Sequence, residues 1–149
     1  MRSKTATFFE CTCRYEKTME DGALKKVKET NAVDALSFSE AESRFVEEMS
    51  AYINGEFEVT AIKIAPYKEV FFSNNNDDDR WYRVKLAFIT VDEKTEKEKR
   101  ENVMYLVQAS SLDRAVKYIN EIMGETMTDY SSIAVQESNI FDVFEYTSE

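Results

Sequence analysis

The chain has 149 residues, a net charge of −10 and no histidine. The missing histidine removes Ser-His-Asp and Cys-His nucleophile systems and every His-containing zinc site, and two cysteines are too few for a four-cysteine zinc site within one chain. The acidity opposes non-specific binding to nucleic acid or anionic membranes, because both need a cationic surface.

The opening MRSKTATFFECT has no hydrophobic stretch of the signal-peptide kind. Residues 6–17 alternate apolar and polar with period two and read as a half-buried strand. Asp21-Gly22 marks a turn, and residues 24–35 return as a second strand. Lys25, Lys26 and Lys28 give that strand a charged, exposed edge. Ser37-Phe38-Ser39-Glu40 is a capping box, so a helix is expected over 38–53. Its apolar stripe is Phe38, Ala41, Phe45, Met49, Tyr52 and Ile53. Asn54-Gly55 ends it. Residues 56–64 make a third strand, Pro66 breaks it, and Lys68–Phe72 suggests a short fourth. Ser73–Asp79 is a polar linker. Arg80–Val91 is then a strand, Asp92–Arg100 a charged turn, and Glu101–Ala109 the returning strand. Ser110-Ser111 caps a second helix over 112–123 with Gly124 as its stop, and residues 130–137 and 140–146 close as strands. The longest apolar run, Val103–Val107, is far too short to cross a bilayer.

The order of elements occurs twice because the pattern of residue classes occurs twice. Phe9, Cys11, Cys13 and Tyr15 match Tyr82, Val84, Leu86 and Phe88, 73 positions later (82 minus 9). Ala35, Ser37, Phe38, Ala41, Phe45 and Met49 match Ala109, Ser111, Leu112, Ala115, Ile119 and Met123 at 74. Tyr67, Val70 and Phe71 match Ile140, Val143 and Phe144 at 73 again. One residue gained and then lost is what differing loops between two copies produce. The expected fold is α+β: two tandem β-β-α-β repeats, over about 6–72 and 80–146 with the linker at 73–79, in one pseudo-symmetric domain with mainly antiparallel sheet. Each copy alone is too small to supply much core. The predicted core is Phe9, Cys11, Cys13, Tyr15, Phe38, Phe45, Met49, Tyr82, Val84, Leu86, Phe88, Leu112, Ile119 and Met123.

Several constellations invite a chemical reading. Asn74-x-Asn76-x-Asp78 has alternating oxygens like a calcium loop but lacks the central Gly and the later Glu, which favours a solvated connector. Cys11 and Cys13 suit a thiol pair for metal or redox work only in a cationic, exposed setting. Their counterparts Val84 and Leu86 instead make them core residues, reduced and free of metal. Glu47 and Glu48 share a helix with Glu40, Glu42 and Arg44, as a solvent face would. Two aromatic-basic clusters could stack bases and neutralise phosphates: Arg2, Lys4, Phe8 and Phe9, and, better, Trp81, Arg83 and Lys85 alternating onto one strand face. The competing reading of Trp81 is a core cap with solubilising cations beside it.

RSKTATFFECTCRYEKTMEDG, VDALSFSEAE, GEFEVT, DRWYRVKL and FDVFEY together resemble domain-of-unknown-function family 4494, across nearly the whole chain. The resemblance implies an intracellular setting in Bacteroidetes, their phages and mobile elements, and transfers no functional residue. The expected function is a non-catalytic, cytoplasmic interaction module that binds protein, including itself, through a sheet edge or helix face, without cofactor, metal or membrane. One alternative is a single-stranded nucleic-acid accessory protein using Trp81, Arg83 and Lys85; another is an acidic nucleic-acid mimic that inhibits a DNA-binding enzyme.

Overall fold

A computed structural model describes residues 1–146. Among them the fold is α+β, with two helices and nine strands in two mixed sheets. The chain divides into two compact units. The first comprises Ala6–Pro66 and the segment from Asn139 on; the second comprises Met1–Thr5 and Tyr67–Ser138.

The first unit begins with a long hairpin. β2 (Phe8–Thr18) runs antiparallel to β3 (Leu24–Asp34), in register from Phe8↔Asp34 to Thr18↔Leu24. Its turn closes through Gly22 at φ 84, a left-handed conformation that glycine adopts without steric penalty. Helix α1 (Phe38–Tyr52) follows. Ser37 Oγ accepts from the Glu40 N–H at 3.1 Å. The Glu40 carboxylate reaches back to the Leu36 N–H at 3.2 Å, one residue earlier than a standard capping box. β4 (Phe57–Ile64) then pairs with the outer side of β2.

The second unit also holds a hairpin, a helix and a strand that pairs back onto the hairpin. β1 (Arg2–Lys4) pairs with β5 (Tyr67–Phe72), so the opening residues form a strand that the alternation pattern did not reveal. β6 (Arg80–Val91) and β7 (Glu98–Ala109) form its hairpin. The expected turn over 92–100 is tighter than that, because Glu98 already pairs with Val91. Glu96 sits at φ 58 in this turn, a left-handed position held by a non-glycine residue. Helix α2 (Leu112–Gly124) is capped by Ser111 Oγ on the Arg114 N–H at 3.2 Å. Gly124 is its last residue rather than the stop beyond it. β8 (Asp129–Glu137) pairs with β6.

Each unit also takes in one strand from outside its hairpin–helix–strand stretch of sequence, and that strand pairs in parallel. β9 (Ile140–Phe144) pairs parallel with β3, while β5 pairs parallel with β7. The sheets are therefore β4-β2-β3-β9 and β1-β5-β7-β6-β8, each with one parallel pair among its antiparallel ones. No helix among the described residues is long and apolar enough to cross a membrane.

Both helices bury residues four apart: Ala41, Phe45 and Met49 in α1, Ala115, Ile119 and Met123 in α2. In the first unit these meet Phe9, Cys11, Cys13 and Val33; in the second, Val84, Leu86, Val103 and Val107. Phe38 and Leu112, expected in the core, are instead 51% and 48% exposed. A residue three before the buried row lies about 60° off it around the helix, so each sits at the rim. Phe38 still packs edge-on against Phe9, at 5.0 Å between ring centroids. Tyr15 and Phe88 are only half buried.

Candidate functional site

The aromatic-basic face on β6 is less open than its sequence suggests. Trp81 is 2% exposed, with its ring edge-on to Phe72 at 5.5 Å. Its carbonyl accepts from the Ser138 N–H and Oγ–H at 2.9 and 2.7 Å. A base stacks only on an open ring face, so in this conformation Trp81 is a packing residue rather than a stacking platform. Arg83 donates from Nε to the Tyr67 hydroxyl at 2.9 Å, and Lys85 is half buried on the same face of the strand. The other cluster is likewise taken up by packing. Phe8 and Phe9 are buried, and the Arg2 guanidinium lies over the Phe72 ring at 4.1 Å from its centroid.

Asp78 turns the 73–79 linker from a solvated connector into an anchored one. Its carboxylate is buried and accepts from Ser73 Oγ and, at 2.5 Å, from the Tyr118 hydroxyl of α2. Arg114 Nε stands 3.5 Å from Oδ1. Burial alone would raise this carboxyl. The bonds from Ser73, Tyr118 and Ser110, with the Arg114 charge, outweigh it and hold the group below its ordinary value. Asn74 and Asn76 are exposed, so the alternating oxygens do not converge.

Polar chemistry concentrates where the first unit departs from the second. On the helix-facing side of the second unit's hairpin stand Val84, Leu86, Val103 and Tyr105. The first unit places Cys11, Cys13, Glu29 and Asn31 there, with Cys13 opposite Glu29 and Cys11 opposite Asn31. Both thiols are buried and free. Burial, then the charges of Glu42 and Glu10, pushes Cys11 up to about 12; burial and the charge of Glu29 push Cys13 to about 11. Both therefore stay as thiols near neutral pH and are poor nucleophiles. Asn31 donates to Met49 Sδ at 3.5 Å while its Oδ1 has no partner. Glu29 accepts from the Tyr15 hydroxyl on Oε2 at 3.1 Å, while its Oε1 has no partner. An unsatisfied buried acceptor of this kind costs roughly 1–3 kcal/mol.

Glu29, 8% exposed, forms part of the wall of a cleft of about 410 Å3. The cleft lies between the turn-proximal end of β2, the C-terminal end of α1 and Phe141 of β9; Tyr15, Tyr52 and Asn54 share its lining. Tyr52 donates to Met49 Sδ at 3.4 Å. Its phenol is raised by burial first, then by the charges of Glu29, Asp142 and Glu48 and by Cys13. Neither Glu29 nor Asn31 stands out by composition. The signal that would have found them is the repeat itself: positions 29 and 31 align with Val103 and Tyr105 at the 74-residue offset (103 minus 29), two polar side chains where the other copy is apolar or aromatic.

No curated protein and no solved structure matches the chain. A family model described as "Domain of unknown function (DUF4494)" matches residues 7–146, and the chain belongs to that family.

Proposed function

We propose that this protein is a non-catalytic, cytoplasmic binding module for protein, a second copy of itself included, and that its partner adds as a strand beside β8. The observation that carries this reading is the character of that edge. Among the described residues β8 pairs only with β6, leaving one side of a nine-residue strand without a neighbour. Natural edges are blunted by charge or by shortness. β1 and β9 are short, and β4 carries Glu58 and Lys63. At the matching positions β8 carries Ser131 and Gln136, and no charge lies between Asp129 and Glu137. An extended segment can satisfy such an edge with main-chain hydrogen bonds. The raised thiols of Cys11 and Cys13 support a non-catalytic role, and their free state supports a reducing compartment. The burial of Trp81 weighs against the nucleic-acid reading, and the mimic reading has only the net charge behind it.

The same reading treats the chain as a duplicated β-β-α-β unit, each copy followed by one further strand. Each bulge recurs at the repeat offset: Thr60 is the extra residue of β4 against β2, and Ile133 that of β8 against β6, 73 positions on (133 minus 60). The pin beyond each copy's fourth strand recurs too. The Tyr146 N–H donates to Asp34 Oδ1 at 2.8 Å, and the Ser73 N–H to Gln108 Oε1 at 3.0 Å. Since each sheet contains a strand from the other half of the chain, the two copies fold as one domain in this reading.

The test of the binding role is Ile133→Lys, at an exposed position of β8. Stability should move by no more than about 0.5 kcal/mol. Self-association by light scattering, and retention of partner proteins from host extract, should both be lost. Undiminished retention by the variant would remove β8 from the binding surface.

A further inference from the structure

We propose that Asn54-Gly55 is a site of spontaneous covalent modification, at which deamidation converts the asparagine amide into a carboxylate. The site lies in the first unit, and the inference does not rest on the β8 reading. The reaction needs an asparagine side chain, the amide nitrogen of the next residue and room for the two to meet. Of the three glycines, only Gly55 follows an asparagine. Both residues are exposed, in the connection between α1 and β4. Among the described residues the Gly55 N–H donates no hydrogen bond and the Asn54 amide makes none. Gly55 has φ 100, and a β-carbon there would meet nothing within 4 Å, so no neighbour shields the nitrogen. Asp21-Gly22 is the internal contrast. Its glycine N–H donates to the Met19 carbonyl at 2.9 Å and its carboxylate accepts from the Ala23 N–H at 3.0 Å, so both reacting groups are held.

In the reaction the Gly55 nitrogen loses its proton to hydroxide and bonds to Asn54 Cγ. The Cγ–Nδ2 bond breaks, and Nδ2 leaves as ammonia after taking a proton from water. Water then opens the cyclic imide. Opening at Cγ gives aspartate; opening at the main-chain carbonyl gives isoaspartate, with the chain routed through Cβ and Cγ. The net change is amide plus water to carboxylate plus ammonium, with no oxidant or reductant. The charge of the chain becomes −11 (−10 minus 1). Asn54 lines the cleft of about 410 Å3 that Glu29 also lines, and a second of about 660 Å3 shared with Glu16, Glu56 and Glu58. The new carboxylate makes both more negative. It also stands just past the C-terminal end of α1, where negative charge is unfavourable. The modification is a slow, one-way change in the charge of both clefts.

The experiment is incubation of the full native chain in neutral buffer at body temperature, beside the same chain unfolded in guanidinium chloride. Proteolytic fragments are read by mass spectrometry for the amide-to-acid mass change, and isoaspartate is located by fragmentation. Native Asn54 should deamidate within a few-fold of its rate in the unfolded chain, and faster as pH rises, because the attacking nitrogen must lose its proton. The other asparagines of the native chain should lag behind it several-fold or more. Isoaspartate at residue 21 should form in the unfolded chain only. An acidic species should accumulate on isoelectric focusing of the wild type and be lost in Asn54→Gln, whose side chain must close a larger and slower ring. Native Asn54 that stays an amide while the unfolded chain deamidates would overturn the proposal, because the fold would then protect the site. So would an amide that persists in both, another asparagine converting first, or an acidic species undiminished in Asn54→Gln.

Discussion

Ile140→Ala tests whether the exchanged strands make the two units one cooperative body. Ile140 is buried and pairs with Thr30 across a parallel ladder, although 110 residues separate them (140 minus 30). The substitution removes three carbons, worth about 0.8 kcal/mol each, or roughly 2.4 kcal/mol of transfer free energy. Incomplete collapse around the site adds a cavity term, so the expected loss is about 2.5–4 kcal/mol. For a chain of this size that lowers Tm by about 5–15 °C. Two probes report on different units: Trp81 fluorescence on the second, and protection of the Cys11 and Cys13 thiols on the first. Urea titrations should show both transitions coincident in the wild type and moved together in the variant. If the thiol transition moves while the Trp81 transition stays in place, the units unfold independently and the single-domain reading fails.

Phe45→Ala empties a fully buried position in α1 and should cost about 3–5 kcal/mol, read by chemical denaturation. Glu96→Gly should stabilise the β6–β7 turn by up to about 1 kcal/mol, because glycine accepts the left-handed φ of 58 without the steric cost; a lower Tm would contradict this. Asp78 is depressed in the folded state, so its contribution is complete above the ordinary value of 3.8 and is lost as pH falls through the lower folded value. Asp78→Asn should therefore flatten stability against pH in that acidic range, measured by thermal melts at stepped pH. Native Cys11 and Cys13 should react with a thiol reagent far more slowly than the unfolded chain, in which both should titrate. Rapid native labelling would revive a redox role.

Local elements were legible because their determinants are local. The alternation of Phe9, Cys11, Cys13 and Tyr15 sets one face of β2, and Ser37 and Ser111 place the helix starts through bonds three residues long. Two capped helical stripes set among alternating segments gave the α+β class. Composition alone ruled out histidine chemistry. Tertiary structure decided what depends on distant partners. β5 and β9 are short apolar segments that would suit either hairpin, and only the completed sheets show that each joins the hairpin of the other half. Trp81 alternates with Arg83 and Lys85 as an exposed face would, yet burial against Phe72 is a property of neighbours that periodicity cannot name. Glu29 reads as one more acid among many until Cys13, Tyr15 and α1 close around it, because the loss of solvent from a carboxylate oxygen exists only in the folded chain.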